Sequence, residues 1–213
     1  MLKNYNYISI EGTIGAGKTT LAKMLAKHYD AKLVLEQFEN NEFLPKFYSD
    51  PERYAFTVEL SFLAERYQQI KKHELGPNLF NDLTVADYFL SKSLVFASSN
   101  LKEDEYKLFR EVFDIMFHSV PKPDLLVYLY VPVEKLLTNI RKRGRRYEQN
   151  ISYDYLQLIQ NQYLEFLRKY ADQLKVLILD VSELDFVKNE QDFNSIVEII
   201  EKPISKGLHR EMV

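Results

Sequence analysis

The 213-residue chain has no cysteine and only six glycines. Without thiols it can build no disulfide framework, hold no zinc through thiolates and run no thiol chemistry, and a reducing cytoplasm suits it. Long apolar runs are missing as well. The longest candidate, LLVYLYV at 125–131, falls well short of the roughly 18 residues of a membrane span, so a soluble protein with no membrane partner is expected. The first residues, MLKNYNYISIEG, lack a signal-like apolar region with a cleavage site, which points to the cytoplasm. A basic surplus is absent too. The formal net charge of -3 argues against nucleic acid as a general partner.

What is present is a chain that is 46% hydrophobic and 14% aromatic, enough for a sizeable core, and one domain spanning 1–213 is expected. Short apolar runs at Tyr5–Ile10, Lys32–Leu35, Leu83–Ala86, Leu125–Val131 and Val176–Leu179 read as five buried strands. Helical periodicity fills Thr20–Tyr29, Arg53–His73, Glu103–His118, Val133–Arg141, Tyr153–Tyr170 and Phe193–Glu201. Alternating strands and helices imply an α/β fold: a five-stranded parallel sheet flanked by helices in three layers. Pro51, Pro77, Pro121 and Pro123 punctuate the helices, and Pro132 suits a helix entry. The polar end, EKPISKGLHREMV, reads as a mobile tail.

Three of the six glycines fall within EGTIGAGKTT. Gly12, Gly17, Lys18 and Thr19 have the spacing G-x-x-x-x-G-K-[ST] between a strand and a helix, the context that a P-loop requires. Backbone N–H groups from Gly12, Thr13, Ile14, Gly15, Ala16 and Gly17 turn inward to cradle phosphate oxygens, and Thr20 continues into the helix whose positive end adds to the cradle. Lys18 is expected on the β- and γ-phosphates of ATP and Thr19 on magnesium. No N-K-x-D or D-x-x-G element follows, and the chain is too short for a second nucleotide-binding half. A small kinase acting on a small acceptor remains.

Such an enzyme needs a group facing the acceptor hydroxyl, a carboxylate near the metal and cations on the moving phosphoryl group. In open parallel sheets these lie beyond the carboxyl ends of the strands, where Glu36 ends the second and Asp87 the third. The cations cluster in RKRGRR, where five basic residues surround Gly144 within Arg141–Arg146. Five like charges in six residues repel one another unless an anion neutralises them, so an arginine-rich, phosphate-closing lid over about 139–152 is expected.

The stretches GTIGAGKTT and RKRGRRYEQNISYDYLQLIQNQYLEFL together resemble the deoxyribonucleoside kinase family, which transfers the γ-phosphate of ATP to the 5′-hydroxyl of a deoxynucleoside. The resemblance covers nearly the whole chain. It implies that Glu36 is the base facing the 5′-hydroxyl, that Asp87 helps hold magnesium through water or pairs with a cation, and that Arg143 and Arg145 are the lid arginines. It further implies that Tyr48 and Glu148 hold the sugar 3′-hydroxyl and that Glu59 and Phe96 meet the base, with Arg66 on the same helix as Glu59. Phe96 and Tyr48 suit core positions equally well. ATP adenine recognition is expected around Asp180–Phe186, and the resemblance implies a homodimer through helices.

Four positions depart from the family pattern. Tyr88 stands where arginine usually follows the acid of the third strand, so a cation is absent or supplied from elsewhere. Glu59 replaces a frequent glutamine and, while ionised, can only accept, which suits the donor edge of guanine or the amino group of adenine. Gln37 replaces a proline, and Asn139 an arginine. The expected activity is deoxynucleoside phosphorylation with a purine base. The alternatives are a thymidylate-type nucleoside monophosphate kinase and a non-catalytic ATP-binding regulatory module.

Overall fold

β1 (Tyr7–Gly12) is buried along its whole length, as a central strand covered on both faces must be. The computed structural model describes residues 4–37, 41–73 and 82–213 of the chain, so Pro77 lies outside the described residues. The other strands are β2 (Lys32–Val34), β3 (Thr84–Ala86), β4 (Leu125–Tyr130), β5 (Lys175–Asp180) and β6 (Gly207–Met212), in the order β2-β3-β1-β4-β5-β6. Every pairing is parallel, with Ile8 opposite Leu125 and Val127 opposite Leu177.

Helices cover both faces: α1 (Lys18–His28), α2 (Leu44–Ser49), α3 (Pro51–His73), α4 (Lys92–Asn100), α5 (Glu103–Phe117), α6 (Val133–Arg143), α7 (Tyr153–Tyr170) and α8 (Glu190–Glu201). The period of two along the strands sorts side chains into two cores. Ile8, Ile10, Leu125, Val127, Leu129, Leu177 and Leu179 pack with Leu21 and Leu25 of α1, Leu136 and Ile140 of α6 and Ile196 of α8. On the opposite face, Leu126, Tyr128, Val176 and Ile178 meet Ile159, Tyr163 and Leu167 of α7. There too, Tyr7, Val34 and Ala86 pack with Leu63 of α3, Leu94 of α4 and Phe113 of α5.

Among the described residues the sheet has six strands, not the expected five. The extra one, β6, is the stretch read as a mobile tail. It pairs with β5 from Lys175 opposite Gly207 to Asp180 opposite Met212. As an edge strand it is largely exposed and its side chains are mostly polar, so it carries no apolar run to reveal it. Arg210 ties it down, donating to Asp180 Oδ2 at 3.0 Å with its guanidinium over the Tyr130 ring. α2 and α4 were also unforeseen. α2 is a six-residue helix, and the first five residues of α4, from Lys92 to Phe96, are buried except Phe96, leaving no amphipathic stripe there. The helices that were foreseen match to within about three residues at each end, the tail helix starting at Glu190 rather than Phe193.

Ending the chain at Lys206 would strip β5 of its neighbour and expose the backbone groups of a strand now paired on both sides. A loss of roughly 2–4 kcal/mol, seen as a fall in Tm of roughly 5–15 °C, is expected in thermal unfolding. An unchanged Tm would show that β6 adds nothing to the fold.

Candidate active site

The carboxyl ends of β1, β2 and β3 open into a cavity of about 710 Å³ whose lining runs from the glycine loop to α3, α4 and α7. Residues 12–17 leave β1 as a tight loop that ends at α1. Gly15 sits at φ 86°, and an added Cβ there would stand 2.9 Å from the Leu136 carbonyl and 3.0 Å from Ile140 of α6. The loop therefore rests on α6, where Asn139 Nδ2 donates to the Gly15 carbonyl at 2.9 Å. Asn139, a departure from the family pattern, thus has a definite contact. Lys18 Nζ donates to the carbonyls of Gly12 and Thr13 at 2.9 and 3.1 Å. Burial, and the nearby Lys92 ammonium, depress its pKa to about 8, although Glu11, Glu36 and Asp87 work the other way.

Glu36, just past β2, faces into this cavity. Its Oε1 accepts from Arg66 Nε and Nη2, both at 2.7 Å, and its Oε2 accepts from Lys92 Nζ at 2.5 Å. Burial pushes the Glu36 pKa up, but the Lys92 and Arg66 charges and hydrogen bonds outweigh it and hold the carboxyl at about 2. Arg66 is steadied in turn by Nη1 donating to Ser93 Oγ at 2.8 Å, one residue beyond Lys92. Asp87 joins two parts of the site: Oδ2 accepts from the Thr19 hydroxyl at 2.5 Å and Oδ1 from the Glu36 backbone N–H at 2.7 Å. A hydroxyl and a single carboxylate form the sparse oxygen set that suits Mg²⁺, which keeps several waters and takes further oxygens from phosphates.

Glu59 of α3 is buried on the cavity wall, with Oε1 accepting from Asn100 Nδ2 at 2.7 Å. Burial lifts its pKa to about 7, against the lowering effects of Asn100, Arg66 and Lys92. The carboxyl can therefore donate as well as accept near neutrality, unlike the purely accepting group expected from the ionised form. Phe96 is half-buried on the cavity lining, edge-on to Tyr163 at 6.1 Å. Tyr48 is also half-buried there, stacked with Tyr147 at 6.0 Å and 19°.

The basic run 141–146 ends α6 at Gly144, which takes φ 76° and closes the last turn by donating to Ile140 O at 3.2 Å. Arg143 and Arg145 both reach Glu148: Arg143 Nε donates to Oε2 at 3.1 Å, its Nη2 also contacts that oxygen, and Arg145 Nη1 lies 3.4 Å from Oε1. The anion that pairs these arginines is thus a buried carboxylate of the same segment. All three side chains line the cavity. Of residues 180–186, Phe186 lies against the glycine loop, with its Cζ 3.2 Å from where a Gly17 Cβ would be.

Gln37 also lines the cavity. Tyr88, where a cation is usual, is instead fully buried in the core shared with Leu63 and Phe113. A different cation reaches Glu36: Lys92, the first residue of α4. Lys92 escaped the sequence reading. Its one signal was a lone lysine inside FLSKSLVFA, an otherwise uncharged stretch. Glu11 was missed too, although a carboxylate within the buried strand YISIEG is conspicuous. It accepts from the Phe89 N–H at 2.9 Å and the Tyr163 hydroxyl at 2.9 Å, fixing the turn that leads into Lys92.

The chain matches the family model "Deoxynucleoside kinase" over residues 8–205. It is 33% identical over 193 residues to deoxyguanosine kinase of Bacillus subtilis, covering 89% of this chain and 93% of that protein. It is 32% identical over 197 residues to deoxyadenosine/deoxycytidine kinase of the same organism, covering 91% and 90%. A solved structure of deoxyadenosine kinase from M. mycoides with bound dATP superposes with a TM-score of 0.79 at 23% identity, covering 92% of this chain and 100% of that one.

The Glu59 pKa sets a pH dependence of stability. Between the ordinary carboxyl value of 4.5 and about 7, the folded chain holds a proton that the unfolded chain has released. Folding then binds more protons than unfolding, so stability falls as pH rises through this window. In urea titrations, Glu59→Gln is expected to remove that component, up to about 3 kcal/mol between pH 4.5 and 7. Parallel profiles for the two proteins would mean that Glu59 titrates normally.

Proposed function

The chain belongs to the deoxynucleoside kinase family, and from that premise we propose that it transfers the γ-phosphate of ATP to the 5′-hydroxyl of a purine deoxynucleoside, deoxyguanosine or deoxyadenosine. The observation that carries this reading is the ionised Glu36 held between Arg66 and Lys92 in the same cavity as Lys18 and Thr19. The deoxyguanosine and deoxyadenosine kinases among its relatives support the purine base. So does Glu59, paired with Asn100 on the wall of the 710 Å³ cavity.

In this mechanism the loop amides and Lys18 hold the donor phosphates, and Glu36 accepts a hydrogen bond from the 5′-hydroxyl, orienting its oxygen for in-line attack. Thr19 and Asp87 would hold Mg²⁺, which when bound supplies charge neutralisation between the β- and γ-phosphates. Tyr48 and Glu148 hold the sugar 3′-hydroxyl, the carboxylate accepting its hydrogen and the phenol donating to its oxygen, while Phe96 packs against the base and Arg66 keeps Glu36 in place. Residues 139–152 act as a lid on a single kinase domain, with Arg143 and Arg145 turning from Glu148 to the transferring phosphoryl group. Exposed Leu108 and Ile115 of α5 and Leu158 of α7 support a homodimer through helices, which sedimentation tests.

Radiolabelled transfer from ATP to the four deoxynucleosides, their ribose counterparts and their monophosphates tests the reaction. Product from deoxyguanosine or deoxyadenosine is expected, and transfer only to monophosphates would overturn the assignment. Glu36→Gln should bind ATP about as well as the unaltered protein while turnover drops by roughly 10²- to 10⁴-fold. Turnover near that of the unaltered protein would remove Glu36 from its role.

A further inference from the structure

Lys92 is an expensive residue for this position. Its side chain is only 6% exposed. It also sits in the first turn of α4, where a cation opposes the helix dipole. The helix dipole alone would favour a neutral or acidic residue there. The side chain instead reaches Glu36, and the turn before it is held by the Glu11 carboxylate through the Phe89 N–H.

The two cations on Glu36 are not equivalent. Arg66 grips Oε1 through two nitrogens and is itself anchored to Ser93, so it is fixed by geometry. Lys92 holds Oε2 through a single rotatable ammonium on a flexible stem, with the Phe96 ring 5.7 Å from its nitrogen. Oε1 already accepts two Arg66 nitrogens, whereas Oε2 accepts from Lys92 alone and keeps a lone pair, so a substrate hydroxyl that docks on Glu36 docks on Oε2, beside the ammonium.

We propose that Lys92 is a further catalytic residue that hands over its charge: it leaves Glu36 Oε2 when the acceptor hydroxyl docks and moves onto an oxygen of the transferring phosphoryl group. This presupposes the deoxynucleoside kinase activity proposed above. One displacement then does two things. It leaves Oε2 free to take the hydroxyl proton, and it delivers a cation where negative charge develops. Glu36 takes the 5′-hydroxyl proton as the 5′-oxygen bonds to the γ-phosphorus. The bond from that phosphorus to the bridging oxygen of ADP breaks, and its electron pair leaves on ADP. The charged groups around Lys92 are Glu11 from β1, Lys18 from α1, Glu36 after β2 and Glu59 and Arg66 from α3.

The experiment measures steady-state transfer from ATP to deoxyguanosine and deoxyadenosine for the unaltered protein, Lys92→Met, Lys92→Ala and Lys92→Arg, with circular dichroism on each. Lys92→Met should lower kcat by on the order of 10²- to 10³-fold while KM changes by less than about threefold. Added methylammonium or ethylammonium should restore Lys92→Ala by about tenfold or more. Lys92→Met with kcat within about threefold of the unaltered protein overturns the hand-off. A loss of kcat without amine rescue reduces Lys92 to packing. If Met and Ala variants fail to fold, Lys92→Arg decides: a bidentate arginine that cannot let go should leave kcat low, and kcat within about threefold of the unaltered protein overturns the hand-off. An unaltered protein that phosphorylates no deoxynucleoside overturns the proposed function itself, a result separable from failure of the variants alone.

Discussion

A carboxylate taken out of water is the constraint around which this molecule is arranged. Burying Glu36 as an anion costs several kcal/mol unless cations and hydrogen bonds offset it. Arg66 and Lys92 supply both, but each is a buried charge with requirements of its own. Arg66 needs Ser93, and the turn that carries Lys92 needs Glu11, whose second oxygen needs the Tyr163 hydroxyl. One ionised group therefore recruits partners from β1, α3, α4 and α7. Networks of this kind are rigid when every member is satisfied and costly when one is missing.

The sheet explains why such a network can exist. Parallel strands buried on both faces put their polar chemistry where the chain leaves the sheet, at the carboxyl ends. The glycine loop, Glu36 and Asp87 follow β1, β2 and β3, with β3 lying between the other two in the sheet. Residues distant in sequence arrive within hydrogen-bond reach because the strands before them are in register, with Tyr7 opposite Thr84 and Lys32 opposite Thr84.

Much of this was legible in the chain. The P-loop could be read because its chemistry is backbone chemistry with fixed spacing, and Glu36 and Asp87 because strand ends are positions that a pattern of apolar runs locates. Lys92 and Glu11 could not be read the same way. Their meaning lies in which charges face them across the fold, and a lysine in FLSKSLVFA carries no spacing that names its partner. The pairing of Arg143 and Arg145 with Glu148 was half visible: the repulsion within RKRGRR demanded an anion, but not one from the same segment. β6 was lost because an edge strand needs only backbone hydrogen bonds and a few anchoring side chains, so its polar composition resembled a tail.

Asp87 acts as a ruler. One of its oxygens is fixed to Thr19, beside the glycine loop, and the other to the main chain at Glu36, beside Arg66 and Lys92. The spacing between the two oxygens of a carboxyl group is set by covalent geometry, so the distance between the two halves of the cavity is calibrated by a bond angle rather than by soft packing. Lengthening that side chain by one methylene would keep the charge and spoil the measurement.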